Sequence, residues 1–490
     1  MTTPTASLGK TAPRTTIILS IAAMAAVGGF LFGYDTGVIA GAQGLLKKQF
    51  DLTDLWIEVI TSAVLIGATV GALTAGKIAD RIGRRSANMV AGGVFALSAL
   101  VLAFAPNPEM LIAGRVLIGF GVGLASVVGP LYISETAPPN RRGAMVSFFQ
   151  FAIVTGILAA YIVDMLLMPA QNATAPLDHV GWRQMFGLGA IPGALLTIGF
   201  VWMPRSPRWL VMKGRLSEAQ TVLEKTLGHD AAADHLGTIK GELKQGDVTR
   251  GKVRLRDIKG IKLAMTVAIG LAVLQQVTGI NTVIYYGPEV FKQAGFTSNT
   301  AQLGAQVGLG VVNLLFTIVA ILLIDKVGRR ALLLWGSGIM ALSLISLSIG
   351  FLLIPEGDPE GLTPAGILVL VSTGTYIAAF AASMGPLVWT VISEIFPNTV
   401  RDRCVSIATG CNWIANFLVA LTFLSLLSWI GSTATFLVYA SLAVFTFFWM
   451  FAILPETKDY TLEEIEANLA RGGRKQWLPP RADSSSIDVD

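Results

Sequence analysis

The 490-residue chain reads as an all-α membrane protein with twelve transmembrane helices in two six-helix halves, joined by short cytoplasmic linker helices. Three observations predict this class. The composition is 53% hydrophobic and only 14% charged, with a mean hydropathy of +0.65, whereas soluble domains carry about 25% charged residues. Apolar runs long enough to cross a bilayer, about 20 residues in a helix, recur along the whole chain. Segments of the first half also return in the second. DRIGRR (Asp80–Arg85) returns as DKVGRR (Asp325–Arg330), and GPLYISETAP (Gly129–Pro138) returns as GPLVWTVISEIFP (Gly385–Pro397).

Taken in order, residues 1–16 form a polar cytoplasmic tail. The apolar run from Ile17 has no small-residue cleavage site, so it reads as a first spanning helix and not as a secretory signal. Further spans are expected at 57–79, 86–105, 110–135, 143–168 and 183–204, which completes a half over 17–204. The segment 205–262 is the one long polar stretch between spans. Within it Ser217–Leu227 is expected to be a helix with Ser217 as its cap. The second half, 263–454, holds spans at 263–294, 301–324, 331–354, 366–395, 404–430 and 433–454. Residues 455–490 are expected to give a helix over Pro455–Leu469 and a disordered tail from Arg471.

Lysine and arginine set the orientation. Arg81, Arg84, Arg85, Arg141, Arg142, Lys326, Arg329, Arg330, Arg401 and Arg403 fall in turns on one side, with the basic 205–262 segment. The other side has Lys47 and Lys48, and an acidic turn with Glu356, Asp358 and Glu360. Positive loops stay in the cytoplasm, so both termini are expected inside, in a multi-pass protein of the cell (plasma) membrane, a bacterial inner membrane.

Several function classes fall away. The net charge of +5 comes from these loops and lacks the aromatic interleaving of a nucleic-acid surface, so no nucleic-acid partner is expected. Cys404 and Cys411 lie in an apolar run, and His179, His229 and His235 have no cysteine or paired histidine at ligand spacing. No metal, no cofactor and no enzyme activity is expected, since no nucleophile–base constellation is present. Gly119–Gly123 (GFGVG) follows no strand and reads as close helix packing by small residues, not as a dinucleotide loop.

Polar residues inside the spans carry the functional reading. Gln275 and Gln276 fall about 18 Å into a helix rising 1.5 Å per residue. Amides at that depth face a wet cavity or other helices. Gly279 and Pro288 bracket Asn281 and Tyr285, and they weaken the helix where transporters break theirs. An amide offers two donors and two lone pairs, a match for an uncharged polyol. The competing reading is polar glue between helices, which is common in membranes. Asp35 and Arg115 are a carboxylate and a guanidinium inside spans one and four. A lone charge there costs about 2.5–3.5 kcal/mol on insertion scales, so the two are expected to pair. The pair is either purely structural or a proton site whose hydration alternates.

The motifs resemble those of the sugar porters of the major facilitator superfamily, over residues 17–469. The residues that carry the resemblance are Gly33–Ile39 (GYDTGVI), Asp80–Arg85, Gly114–Gly123, Ser134–Gly143, Pro204–Leu210 (PRSPRWL), Gln275–Asn281 (QQVTGIN), Asp325–Arg330, Ser393–Pro397 and Pro455–Lys458 (PETK). The resemblance implies the major facilitator fold and alternating-access transport of a neutral monosaccharide or cyclitol. Proton symport leads; a facilitative uniporter and a non-transporting sugar sensor are the alternatives. The expected partners are the small neutral sugar or cyclitol, a proton and the lipid bilayer, with a monomer as the working unit.

By motif position the resemblance implies a substrate shell of Gln150, Gln275, Gln276, Asn281, Tyr285, Asn313, Trp389 and Asn412, with Phe32 as an apolar wall. It implies proton coupling through Asp35 and Arg115. It also implies a cytoplasmic gate of paired charges: Asp80 with Arg84, Glu135 with Arg142, Asp325 with Arg329, and Glu394 with Arg403. The sequence departs from the family pattern in three places. Asn412 stands where many relatives have glutamine, and Arg205 where many have glutamate. Gly189 stands in helix 6 where the xylose–proton symporter type has an acid, leaving Asp164 as an alternative second acid or a helix-end cap.

Overall fold

The computed structural model describes residues 15–136, 142–168, 181–249, 258, 260–354, 363–397, 400–460 and 462–471. These are almost entirely helical, with no strand among the described residues. Helices satisfy their backbone groups internally, the condition for crossing lipid. Spans one to five are α1 (Thr15–Phe50), α2 (Asp54–Ile82), α3 (Arg84–Ala103), α4 (Pro108–Thr136) and α5 (Arg142–Leu167). The sixth is broken at Gly189 into α6 (Gly181–Leu188) and α7 (Ala190–Gly199).

Three linker helices follow: α8 (Pro207–Met212), α9 (Leu216–Leu227) and α10 (His229–Thr249). The second half begins with α11 (Ile261–Val277) and α12 (Ile280–Gln293), then α13 (Asn299–Val327) and α14 (Arg329–Leu352). It continues with α15 (Pro364–Ala382), α16 (Met384–Glu394) and the long α17 (Arg401–Ile453), and α18 (Leu462–Arg471) closes the chain. Ten stretches are long and apolar enough to cross a membrane; α17 supplies two spans, folding back at Gly431 (φ 77°), and the broken sixth brings the number to twelve.

The breaks have local causes. Gly279 separates α11 from α12 with φ 88°, a left-handed conformation that glycine adopts freely. A Cβ there would also lie 2.8 Å from the Tyr439 ring. Ser383, at φ −137° and ψ −89°, separates α15 from α16 just before Pro386.

Two expectations need correction. Ser217 lies inside α9, whose cap position is Arg215 with no side-chain bond. The linker serine that does cap is Ser206, whose Oγ accepts from the Trp209 N–H at 3.2 Å at the start of α8. The closing helix starts at Leu462, later than expected, because Pro455–Tyr460 is turn and irregular chain. The tail from 472, the N-terminal 1–14 and the acidic turn at 355–362 lie outside the described residues.

The GFGVG stretch packs as small residues do. A Cβ on Gly119 would sit 2.0 Å from the Val64 carbonyl oxygen, and one on Gly67 would sit 1.9 Å from that of Val116. Thus α2 and α4 touch backbone to backbone. Gly119→Ala is expected to force them apart, costing about 1–3 kcal/mol as overpacked cores do. Gly304→Ala, where a Cβ meets nothing within 4 Å, is the control. Thermal unfolding in detergent checks this, and equal midpoints for the two variants would contradict it.

The outer surface suits lipid. Trp202 and Trp335, each 73% exposed, lie near the end of the bundle that carries the linker helices. Phe104 and Trp429, at 75% and 83%, lie near the opposite end. Two such aromatic belts mark membrane–water interfaces.

Candidate functional site

The break at Gly279 turns the last residues of α11 and the first of α12 toward α17, and their amides meet there. Gln275 Nε2 donates to the Met384 carbonyl at 2.7 Å, which serves the broken start of α16. Asn412 Nδ2 donates to Gln275 Oε1 at 2.9 Å and to the Ala272 carbonyl at 2.7 Å. Gln276 Nε2 donates to Asn412 Oδ1 at 3.2 Å, and Asn281 Nδ2 donates to Gln276 Oε1 at 2.7 Å. Gln275, Gln276 and Asn412 are each buried. Four of the expected shell residues therefore form one connected amide cluster. Because an amide both donates and accepts, hydroxyls can exchange into such a chain without stranding a group.

Tyr285 stands beside this cluster, one turn beyond Asn281 on α12. Its hydroxyl accepts from Asn416 Nδ2 at 3.4 Å, and its carbonyl accepts from Gln43 Nε2 at 3.2 Å, a bond from the first half to the second. Phe32 faces the ring of Trp413 at 5.5 Å between centroids. Asn313 is buried and lines a small cavity with Tyr161, Gln306 and Ile377. Gln150 and Trp389 are half-buried on α5 and α16; among the described residues no side-chain hydrogen bond joins either to the amides.

Sequence reading missed Gln43, Trp413 and Asn416. Each is buried and keeps a polar atom unpartnered among the described residues: Gln43 Oε1, Trp413 Nε1 and Asn416 Oδ1. A signal existed. Asn416 follows Asn412 by one helical turn, and Gln43 follows Asp35 by about two, so each shares a face with a residue already singled out.

Asp35 and Arg115 pair as expected. Arg115 Nη1 meets Asp35 Oδ1 at 2.6 Å, with both side chains almost fully buried. Arg115 Nε also donates to the Ile60 carbonyl at 3.3 Å and Nη2 to that of Thr61 at 3.4 Å. One guanidinium thus holds α1, α2 and α4 together. Asp164 is fully buried on α5, and its Oδ2 accepts from the Gly41 N–H at 2.9 Å. It binds the middle of α1 and is not a cap on its own helix end.

At the linker end each half carries the same charged knot. In the first, Arg84 meets Asp80 Oδ1 at 2.9 Å and Glu135 Oε2 at 2.8 Å, and Ser206 Oγ donates to Glu135 Oε2 at 2.5 Å. The Arg84 Nε approach to Glu135 is misaligned for a hydrogen bond, so this contact is an ion pair. In the second, Arg329 meets Asp325 Oδ1 and Glu394 Oε1, both at 3.2 Å, and Thr457 Oγ1 donates to Glu394 Oε2 at 2.6 Å. Ser206 in PRSP and Thr457 in PETK therefore occupy equivalent places, a third segment shared by the halves.

One expected pairing is corrected here: Glu394 is held by Arg329, while Arg403 is exposed. The reason is geometric, since the last turn of the fourth helix lies against the first turn of the third. Glu135 is held by Arg84 in the same way, and the side chain of Arg142, its expected partner, lies outside the described residues. One difference separates the knots. Glu456 accepts from the Arg329 and Arg330 N–H groups at 3.0 Å, capping α14. Its counterpart Arg205 instead lies over the Trp209 ring, 5.7 Å from its centroid.

The family model for sugar (and other) transporters matches residues 21–469. The chain belongs to this family. It is 39% identical to the probable metabolite transport protein CsbC of Bacillus subtilis, over 92% of this chain and 94% of that one. It is 36% identical to the arabinose-proton symporter of the same organism, with the same coverage. Among solved structures it resembles the proton:xylose symporter XylE bound to 6-bromo-6-deoxy-D-glucose, at 34% identity and a TM-score of 0.77, over 92% of this chain and 99% of the other. The family members are transporters, not enzymes, and the fold is that of the major facilitator superfamily with its twelve spans.

Proposed function

We propose that this protein imports a neutral monosaccharide or cyclitol by alternating access, in symport with a proton. The observation that carries the reading is the connected amide cluster of Gln275, Gln276, Asn281 and Asn412 at a helix break. Beside it, the Tyr285 carbonyl accepts from Gln43 of the first half and Trp413 packs on Phe32, both on the helix that bears Asp35. The printed functions of an arabinose-proton and a proton:xylose symporter among its relatives support it. In this reading the amides, with Gln150, Tyr285, Asn313 and Trp389, hold ring hydroxyls, and Phe32 covers an apolar ring face. Asp35 carries the proton, and Arg115 holds it in place between transfers. One chain supplies both halves of the site, which supports a monomer as the working unit.

In this reading the linker end lies in the cytoplasm, which the arginine-rich turns gathered there support, and the membrane is a bacterial inner membrane. The two charged knots of Asp80, Arg84, Glu135, Asp325, Arg329 and Glu394, with Arg142 and Arg403 flanking them, form the inner gate. Each knot stiffens its own half, so that the halves rock as bodies.

Counterflow of a labelled panel of pentoses, hexoses and inositol in proteoliposomes tests the reading. Exchange of at least one neutral member is expected, and failure of all would overturn it. Gln275→Ala is expected to weaken the preferred substrate by about 5- to 150-fold, the loss of about 1–3 kcal/mol of hydrogen bonding. Insertion should survive, since alanine suits a membrane helix. Unchanged affinity in a well-inserted variant would return these amides to the role of helix glue.

A further inference from the structure

Glu58 lies in the second turn of α2, at the end of the bundle opposite the linker, and its side chain is fully buried. No cation meets it among the described residues. Its partners come from α17, in the other half. Glu58 Oε1 accepts the Ser425 N–H at 2.8 Å, and Oε2 accepts the Ser425 hydroxyl at 2.6 Å. The Ser425 backbone and side chain thus meet, from one half, a carboxylate of the other.

We infer that Glu58 and Ser425 form a proton-sensitive latch that closes this end of the transporter. The inference rests on the alternating-access reading above for which end is outer. The α2–α17 interface has to part when the outer side opens, and the latch bonds cross it; Gln43 to the Tyr285 carbonyl and Tyr161 to the Ile284 carbonyl tie the halves between other helices. An ionised carboxylate only accepts, so it serves both Ser425 donors at once in charge-assisted bonds. A proton on the carboxyl removes that charge and leaves weaker neutral bonds, and the latch weakens. The titratable groups that face Glu58 are Asp54 on its own helix, Tyr286 on α12 and Tyr439 on the second arm of α17. None of them is a cation that would hold the carboxylate charged once the end opens. Outer acidity therefore favours the outward-open state, ready for substrate, through a group separate from Asp35.

The test places spin labels on the outer ends of α2 and α17 in the full-length protein and follows their distances from pH 8 to pH 5. In the unmodified protein the long-distance population is expected to grow as pH falls. Glu58→Gln keeps the shape of the side chain but replaces the charge-assisted bonds with neutral ones. It is expected to raise the open-to-closed ratio by about tenfold or more at pH 8, the worth of one charge-assisted hydrogen bond, and to flatten the pH response. Ser425→Ala keeps the backbone donor and is expected to fall between the two. A Glu58→Gln protein with unmodified distances and pH response would overturn the latch. So would an unmodified protein whose distances ignore pH. The readout needs no substrate, so a working latch in a protein that exchanges no sugar would count against the transport reading alone.

Discussion

Asp35→Asn is expected to abolish uphill uptake and its pH dependence while leaving sugar-for-sugar counterflow intact. The variant keeps the shape of the side chain and mimics its protonated form, and counterflow requires no net proton movement. The magnitude at stake is large. One proton moving down about 100 mV and one pH unit supplies about 3.7 kcal/mol. That sustains a several-hundred-fold accumulation of a neutral solute, so one carboxylate suffices for concentrative transport. The structure adds a complication. Arg115 is fully buried and leans on Asp35 for its charge partner, with the Ile60 and Thr61 carbonyls as its other acceptors. Removing one member of such a pair leaves an uncompensated charge and commonly costs about 3–5 kcal/mol. Expression and unfolding temperature are therefore measured beside transport, and Asp35→Glu should restore coupling in part. A well-folded Asp35→Asn protein that still accumulates sugar under a proton gradient would remove Asp35 from the coupling step.

Arg84→Ala is the second large effect, this time on stability and on the inner gate. Arg84 and Glu135 are both about nineteen-twentieths buried, at 5% and 6% exposure. Deleting the guanidinium takes from the buried Glu135 carboxylate the cation in contact with it, and a loss of about 3–5 kcal/mol is expected. Arg329→Ala should cost less. Glu394 is 23% exposed, so water replaces part of what Arg329 supplied, and Thr457 still donates to it. Thermal unfolding of the two variants in detergent checks the order. Spin labels across the linker end should show both variants shifted toward inner opening. Equal destabilisation, or none, would contradict the unequal burial of the two knots.

The bundle was largely legible in the sequence because its determinants are local: apolar run length, basic turns, and glycine at forced breaks such as Gly279 and Gly431. The close packing of Gly119 on α2 was legible for the same reason. Contacts that depend on which helix ends meet in space were harder. Glu135 and Glu394 each precede an arginine in sequence, yet bind one on the neighbouring helix, because the third and fourth helices of each half adjoin at the linker end. Ser217 has the residue type of a cap, but the helix begins before it. Glu58 was passed over in the sequence, since nothing local reveals that Ser425 of α17 meets it. Gln43 and Asn416 are single polar residues in apolar stretches, marked only by their helical spacing from Asp35 and Asn412. No such spacing marked Trp413.

The most direct measurement is uptake of a labelled pentose or inositol into proteoliposomes, under an imposed inward proton gradient and without one. With the gradient, internal solute should exceed external solute manyfold, and a protonophore should collapse the excess. Uptake that halts at equal concentrations under both conditions would contradict proton symport and leave a facilitative uniporter.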